Sequence, residues 1–290
     1  MSYKHLVLSG GSWKGLYMAG AIDTLINREI IKIEQIESIW ATSVGTLIGT
    51  LLALKLEWSS VIKYFLNVPI KEFDNLNLDN YVSMFNDCGV LDKQFFIKLL
   101  GSFFNSKYLD INALTLKEFF DYSNIDQHFF AISFQTMETI DFNHISHPNM
   151  KLLDALYCSC SFPFLFKPQT IENIVYLDGG LNVHYPSAYA LEKHNNEEIF
   201  GIYIKTDDRN DNNMKHMLDF GLNLIYKLIF TKQMVNLENL NNQLIIVCEC
   251  KMANDILELL KNKKLREVFI HKGKDSAERY LNHSIQELGE

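Results

Sequence analysis

Residues 6–26 read LVLSGGSWKGLYMAGAIDTLI: a short apolar run, a glycine-containing loop and a segment with helical periodicity. The apolar run at residues 6–8 is typical of a buried strand, and the apolar positions of residues 15–28 recur at the spacing of one helix face. The pattern then repeats, because residues 36–42 predict a second strand and residues 44–54 a second helix. This order predicts an α/β fold with a central, mostly parallel sheet and right-handed crossovers.

The rest of the chain divides into a middle and a C-terminal part. Residues 58–123 combine helical patterns with Asn/Asp-rich loops and many aromatic residues, which predicts a helical insertion or lid. Strand patterns follow at residues 129–134, 139–145, 175–177 and 199–204, and a helical one at residues 152–160. We therefore expect one domain over residues 1–205. Residues 206–290 are expected to be mostly helical, with one strand pattern at residues 244–248, and to pack on the same domain.

Composition and charge exclude several classes of protein. The 290 residues carry 27 Lys and Arg against 35 Asp and Glu, a net charge of -8, which argues against nucleic-acid binding. The five cysteines lack C-x-x-C spacing, so neither a metal nor another cofactor is expected. The longest apolar stretch is shorter than the roughly 20 residues of a membrane span. These features predict a cytoplasmic protein, and peripheral contact with a membrane stays compatible with them.

The loop at residues 9–15, SGGSWKG, is the first candidate site. Its glycines permit a tight turn, and backbone N–H groups at the start of the next helix favour a negative charge. Two ligands suit such a loop: a phosphate, or the oxyanion of an acyl-transfer intermediate. The loop lacks the spacing of a P-loop or a dinucleotide fold, and a structural turn without a ligand is an equal alternative.

Ser43 stands where the second strand passes into the second helix, within Ala41-Thr42-Ser43-Val44-Gly45. A nucleophile elbow of the G-x-S-x-G type needs small residues two before and two after the serine, and Ala41 and Gly45 meet that need. The alternative interpretation is a serine that caps the helix.

Asp178, followed by Gly179 and Gly180, comes directly after a short strand pattern. Taken alone this is an ordinary Asp-Gly-Gly turn. Together with the loop and Ser43, it completes the parts of an acyl-transfer site: a nucleophile, a base and N–H donors for an oxyanion. The site is expected at the carboxyl ends of parallel strands, where open α/β sheets bind ligands.

The set resembles the patatin-like phospholipase family over roughly residues 5–205. Residues 8–15 are similar to its glycine-rich oxyanion loop, including Lys14 and Gly15, and residues 41–45 to its serine elbow. Asp178-Gly179-Gly180 looks like its acidic motif, and residues 155–168 (ALYCSCSFPFLFKP) resemble the segment that precedes it.

The resemblance implies a three-layer α/β/α fold and a phospholipase A-type serine hydrolase that cleaves lipid esters with a Ser-Asp dyad. On that basis Ser43 is the nucleophile and Asp178 its base, and N–H groups near Gly10, Gly11 and Ser12 form the oxyanion hole. Lys14, Gly15, Ala41, Gly45, Gly179 and Gly180 support the motif. The partner implied is a phospholipid or another acyl-ester lipid.

Two positions depart from the family pattern, and one histidine offers an alternative. Ser12 stands in place of a third glycine and Ala41 in place of the first glycine of the elbow. A positive φ at Ser12 would strain the loop by about 1–3 kcal/mol. His184 follows Asp178 in the chain order of an α/β-hydrolase triad, but we expect a solvated surface residue and a dyad.

Other functions stay open at this stage. A serine thioesterase or protein deacylase would use the same dyad, and a catalytically silent lipid-binding module would keep the same fold. Phosphate or nucleotide binding at the glycine loop is a third alternative. Pairs such as Phe95-Phe96 could line an acyl-chain pocket, although core packing is the expectation for most of the phenylalanines.

Overall fold

The fold is built on an eight-stranded mixed sheet, seen in a computed structural model that describes residues 3–68, 86–206, 220–221, 224–225, 227, 240–248 and 259–287. Five strands run parallel, in the order β10 (Gln243–Cys248), β9 (Ile199–Thr206), β1 (His5–Leu8), β2 (Ser38–Thr42) and β4 (Asp126–Ser133). The antiparallel strands are β5 (Thr139–Phe142), β8 (Ile174–Asp178) and β7 (Gln169–Ile171). A separate pair is formed by β3 (Gly89–Leu91) and β6 (Phe164–Phe166).

Helices cover the sheet on both sides, which gives three layers. The larger core packs α1 (Gly15–Asn27), α2 (Val44–Ala53) and α6 (Leu152–Cys160) against one face. On the other face, Ala190 of α7 (Ser187–Leu191) packs with Val7, Trp40 and Phe130. All four residues of β1 are buried, as expected for a strand covered on both faces. The fold is therefore three-layer α/β/α, with a mostly parallel sheet.

The middle part of the chain supplies α3 (Trp58–Leu66), α4 (Lys93–Ser106) and α5 (Leu116–Ser123). The C-terminal part supplies α8 (Lys263–Glu287), which packs along α1. Phe269 of α8 stacks on Trp13 and on Tyr17, with ring centroids 4.9 and 4.7 Å apart. The helix thus supports the glycine loop as well as α1. The domain limits and the role of residues 58–123 as a lid stay predictions, and residues 69–85 lie outside the described part.

The first four predicted elements are confirmed within a few residues, and residues 152–160 form α6 as expected. The strand predicted at residues 139–145 instead ends at Phe142. The reason is a turn in which Asn143 Oδ1 accepts the N–H groups of Ile145 and Ser146. The short strands β3, β6 and β7 were not predicted. Among the residues described, no helix has the length and apolar character needed to cross a bilayer.

One edge of β4 brings two distant parts of the chain together. Along this edge, β2 pairs with Asp126–Phe130 in parallel, and β8 pairs with Ala131–Ser133 in antiparallel. β5 occupies the opposite edge, because Ala131 and Ile132 pair with β5 and β8 at the same time. The carboxyl ends of β2 and β8 therefore meet head-on, between Phe130 and Ala131.

Candidate active site

Ser43 occupies a strained turn between β2 and α2. Its φ is 54° and its ψ is -127°, a conformation that costs a non-glycine residue about 1–3 kcal/mol. Gly45 makes the turn possible, since a Cβ there would lie 2.6 Å from the Leu8 carbonyl oxygen. Ala41 is fully buried in β2, opposite Leu8 of β1. Gly45 thus has the steric role expected of an elbow residue.

Asp178 is the last residue of β8, and both of its carboxylate oxygens accept hydrogen bonds. Oδ2 accepts the Ser43 hydroxyl at 2.7 Å, and Oδ1 accepts the Gly180 N–H at 2.7 Å. Gly179 is packed so closely on the Phe130 carbonyl that a Cβ would overlap it. The structure therefore brings Ser43 and Asp178 into direct contact and holds the carboxylate in one orientation.

The surroundings of Asp178 tune its proton affinity. Burial raises the pKa of this carboxyl group to about 7, although hydrogen bonds from Ser43 and Gly180 act in the opposite direction. A base with a pKa near the working pH combines an adequate ionised fraction with a useful proton affinity. The Ser43–Asp178 pair is thus suited to proton transfer close to neutrality.

His184 was predicted to be a solvated surface residue, and the structure corrects this. Its side chain is half-buried beside Gly10, because the β8–α7 connection folds back over the glycine loop. Burial, and then the nearby charge of Lys14, lowers the pKa of the imidazole to about 4, although a hydrogen bond with the backbone of Ile204 raises it. The hydrogen bonds found to the Asp178 carboxylate within the described residues come from the Ser43 hydroxyl and the Gly180 N–H, so His184 stands outside the pair.

The glycine loop forms a 3₁₀ turn at Ser12–Lys14, next to Ser43. The Gly10 N–H donates to the His184 carbonyl at 2.8 Å, so this predicted oxyanion donor is already engaged. Within the described part of the chain, the N–H groups of Gly11 and Ser12 have no such partner. Ser12 has a φ of 53°, which is the strained conformation considered from the sequence.

The remaining motif residues frame the same loop. Lys14 is buried, with its Nζ 5.6 Å from the centre of the Trp13 ring, and Gly15 opens α1. Both line the cavity in front of Ser43.

The end of α6 holds both members of the pair, and sequence reasoning assigned no role to it. Ser159 Oγ accepts the Ser43 N–H at 3.0 Å, and the Ser161 carbonyl accepts the Asp178 N–H at 3.0 Å. Both serines are fully buried. The signal available in the sequence was the Ser-Cys-Ser run at the end of a predicted helix, because polar side chains need hydrogen-bond partners once they are buried.

An apolar cavity of about 220 Å³ opens beside the pair. The glycine loop, Ser43, Asp178 and His184 line its polar end, and the rest is lined mainly by apolar side chains, including Phe65, Phe95, Phe96, Leu99 and Phe166. The Phe95-Phe96 pair thus faces the cavity, whereas Phe104, Phe119, Phe129 and Phe130 are core residues. Among the described residues, no three His, Cys, Asp or Glu side chains are placed to bind a metal ion.

Comparison with known proteins shows which family the chain belongs to. The sequence model of the patatin-like phospholipase family matches residues 6–191, which include the glycine loop, the elbow and Asp178. The chain belongs to the patatin-like phospholipase family. Its family match ends before β9, so α8 and its contact with the glycine loop lie outside the matched region.

Two relatives are viral proteins. The chain is 29% identical over 198 residues to the probable lipid hydrolase 463L of Invertebrate iridescent virus 6, covering 67% of this chain and 65% of that protein. It is 26% identical over 216 residues to the uncharacterized protein R571 of Acanthamoeba polyphaga mimivirus, covering 72% and 67%. The crystal structure of VipD from Legionella pneumophila shares the fold, with a TM-score of 0.56 at 14% identity over 98% of this chain and 67% of that one.

Proposed function

We propose that this chain is a lipid acyl hydrolase of phospholipase A type, with Ser43 as nucleophile and Asp178 as general base. The observation that carries the proposal is the 2.7 Å hydrogen bond from Ser43 Oγ to Asp178 Oδ2, at the polar end of an apolar cavity. Membership of the patatin-like phospholipase family supports the substrate class, as does a relative named a probable lipid hydrolase.

The reaction follows from the position of the two side chains. Ser43 Oγ attacks the ester carbonyl carbon while Asp178 accepts the hydroxyl proton. The tetrahedral intermediate collapses to an acyl-enzyme, and the leaving alkoxide takes the proton from Asp178. Asp178 then deprotonates a water molecule, which attacks the acyl-enzyme. The second tetrahedral intermediate collapses, the bond from the acyl carbon to Ser43 Oγ breaks, and Ser43 Oγ takes the proton back from Asp178 as the carboxylic acid leaves. Each half-reaction returns the carboxyl group to its starting state.

Backbone N–H groups would stabilise the negative charge on the carbonyl oxygen. Gly11 and Ser12 offer N–H groups without partners in the described part of the chain. Val44 is a further candidate, because it is the first residue of α2 and the first N–H groups of a helix have no partner within it. Removing one oxyanion donor typically costs about 2.7–4 kcal/mol in the transition state.

The apolar cavity supports an acyl chain as the group held next to Ser43. Burial of apolar surface contributes about 0.8 kcal/mol per methylene group, so a long chain gains more than a short one. A thioesterase or a protein deacylase would use the same dyad on a different leaving group. The substrate panel therefore compares phospholipids, neutral glycerides and acyl-thioesters.

The deciding experiment measures fatty acid release from mixed phospholipid vesicles without added metal. Wild type is compared with Ser43→Ala, Asp178→Ala and the control Ser187→Ala, a buried serine that does not line the cavity. We expect both dyad variants to lose activity by orders of magnitude while the control keeps it. A fluorophosphonate should label wild type on Ser43. An inert wild type that also resists this reagent would refute the proposal.

A further inference from the structure

One charged side chain lies in the apolar part of the cavity. Arg266, in the first turn of α8, lines the cavity beside Leu259 and Leu260, and only 3% of its surface is exposed. The other charged side chains in the described lining, Lys14 and Asp178, belong to the polar end. Ligand cavities typically combine apolar walls with a few polar groups that decide which ligand is bound. Arg266 is therefore a candidate for such a specificity group.

The guanidinium of Arg266 is only partly satisfied by the protein. Nη1 donates to the carbonyl oxygens of Leu259, at 2.7 Å, and of Leu260, and Nη2 donates to the Leu66 carbonyl at 2.9 Å. These bonds fix the position of the side chain. Nε, in contrast, is buried and has no acceptor within the described residues, and none of the ion pairs found there includes Arg266. Buried charges are normally paired with an opposite charge, and the described residues supply none here.

Arg266 lies away from Ser43 along the cavity wall. Helix α1 begins at Gly15, which contacts the elbow, since a Cβ there would lie 2.3 Å from Val44 Cγ2. Helix α8 runs antiparallel to α1: Gly273 packs on the backbone of Tyr17, and Gly20 packs on the backbone of Ile270. Arg266 comes one turn before Ile270, so its Cα lies roughly 13 Å further along α1 than Gly15, at about 1.5 Å per residue. Its bonds to carbonyls that precede α8 direct the side chain toward the start of that helix, and so further from Ser43.

We propose that Arg266 binds a carboxylate carried at the far end of the acyl chain, so that the enzyme prefers ω-carboxylated acyl groups to apolar ones. The inference rests on the proposed function, which puts the ester at Ser43. The leaving group departs from that end, so the acyl chain is the part of the substrate that extends to Arg266. A carboxylate suits the guanidinium because hydrogen bonds between charged groups are about twice as strong as neutral ones. A purely apolar chain would leave the buried Nε unpaired, which is how a polar site rejects an analogue.

The test compares kcat/KM for p-nitrophenyl esters in detergent at about pH 7, where carboxylates are ionised. The long substrate is the mono-ester of hexadecanedioic acid, which keeps one free carboxylate. Its two controls are the same compound with that carboxylate methylated, and the ester of hexadecanoic acid. The short substrate is the mono-ester of succinic acid, whose carboxylate stays at the polar end near Lys14. Its apolar control is the ester of butyric acid.

Wild type is compared with Arg266→Met, which keeps an extended side chain and removes its charge. The matched control is Arg279→Met, at an exposed position on the same helix that does not line the cavity. We expect wild type to prefer the long carboxylate ester to both of its controls at least tenfold, Arg266→Met to lose this preference and Arg279→Met to keep it. The succinate ester should show no preference over the butyrate ester. Thermal melts check folding. If Arg266→Met does not fold, the methylated ester decides in wild type alone, because it removes the charge from the ligand instead.

Equal kcat/KM of wild type for the free and the methylated long ester would overturn the inference. A preference that Arg266→Met retains, or that the succinate ester shares, would do the same. Calorimetric binding of monomethyl hexadecanedioate separates this inference from the proposed function. If wild type hydrolyses no ester, but binds this ligand at least tenfold more tightly than methyl hexadecanoate and Arg266→Met does not, the proposed function alone is refuted. Hydrolysis of all the long esters at one rate refutes the inference alone.

Discussion

The Ser159→Ala substitution isolates a single hydrogen bond beneath the proposed nucleophile. Ser159 Oγ accepts the Ser43 N–H at 3.0 Å, and alanine would leave this buried donor without an acceptor. An unsatisfied buried donor costs about 1–3 kcal/mol. Ser43 already has a strained backbone, so we expect the elbow to relax and its hydroxyl to move away from Asp178. If the whole loss appears in the transition state, kcat falls by about 5- to 150-fold.

The assay compares kcat and KM for Ser159→Ala and Ser161→Ala with the best ester found for the wild type. Ser161 is an equally buried serine directly after the same helix, but its hydroxyl donates to the Tyr157 carbonyl. Its own carbonyl keeps the bond from Asp178 in the alanine variant. We expect Ser159→Ala to lower kcat with KM unchanged, since Ser159 does not line the cavity. Equal losses in both variants, or a loss confined to KM, would refute the reasoning.

Three further predictions follow from the same structure. Because burial raises the pKa of Asp178 to about 7, kcat/KM should rise with pH up to about 7 and then level off. His184→Ala should keep this pH profile and most of the activity. A loss of activity as large as that of Ser43→Ala would instead mean that His184 belongs to a catalytic triad. Ser12→Gly relieves a positive φ at an exposed position, so differential scanning calorimetry should find about 1 kcal/mol of added stability, and a lower melting temperature would contradict the strain. Burial lowers the pKa of His128, but the carboxylates of Asp126 and Asp141, 3.3 and 2.7 Å from its ring nitrogens, outweigh this effect and raise the pKa to about 9. The stability that this imidazolium provides, about 3 kcal/mol at most, is complete below about pH 6.5 and is lost as the pH rises through 9, so denaturant unfolding of wild type should show that loss and His128→Gln should not.

The parts of the site that sequence could predict are those encoded within a few residues. Ser43 was identified because a strand pattern, a serine, a small residue and a helix pattern follow each other directly. Asp178 was identified by the short strand and the two glycines around it. An elbow requires small residues two positions before and two positions after the serine, so the local sequence contains most of the information.

The parts that sequence missed depend on contacts between distant segments. Ser159 is 116 positions from the Ser43 N–H that it accepts, and no local pattern of α6 specifies that partner. The engagement of the Gly10 N–H and the burial of His184 arise together, when the chain after β8 folds over the glycine loop. The fold of this connection therefore determines which N–H groups of the glycine loop remain available.

The edge of β4 has a consequence for how this protein family can change. Since β2 and β8 end against adjacent residues of a single strand, the spacing between Ser43 and Asp178 is set by β4 and by the end of α6. Elsewhere in the segment that connects the two side chains, residues such as Phe65, Phe95 and Phe96 line the cavity instead. Segments such as α3 and α4 could be exchanged between relatives, to fit other acyl chains, while the reacting atoms stay 2.7 Å apart.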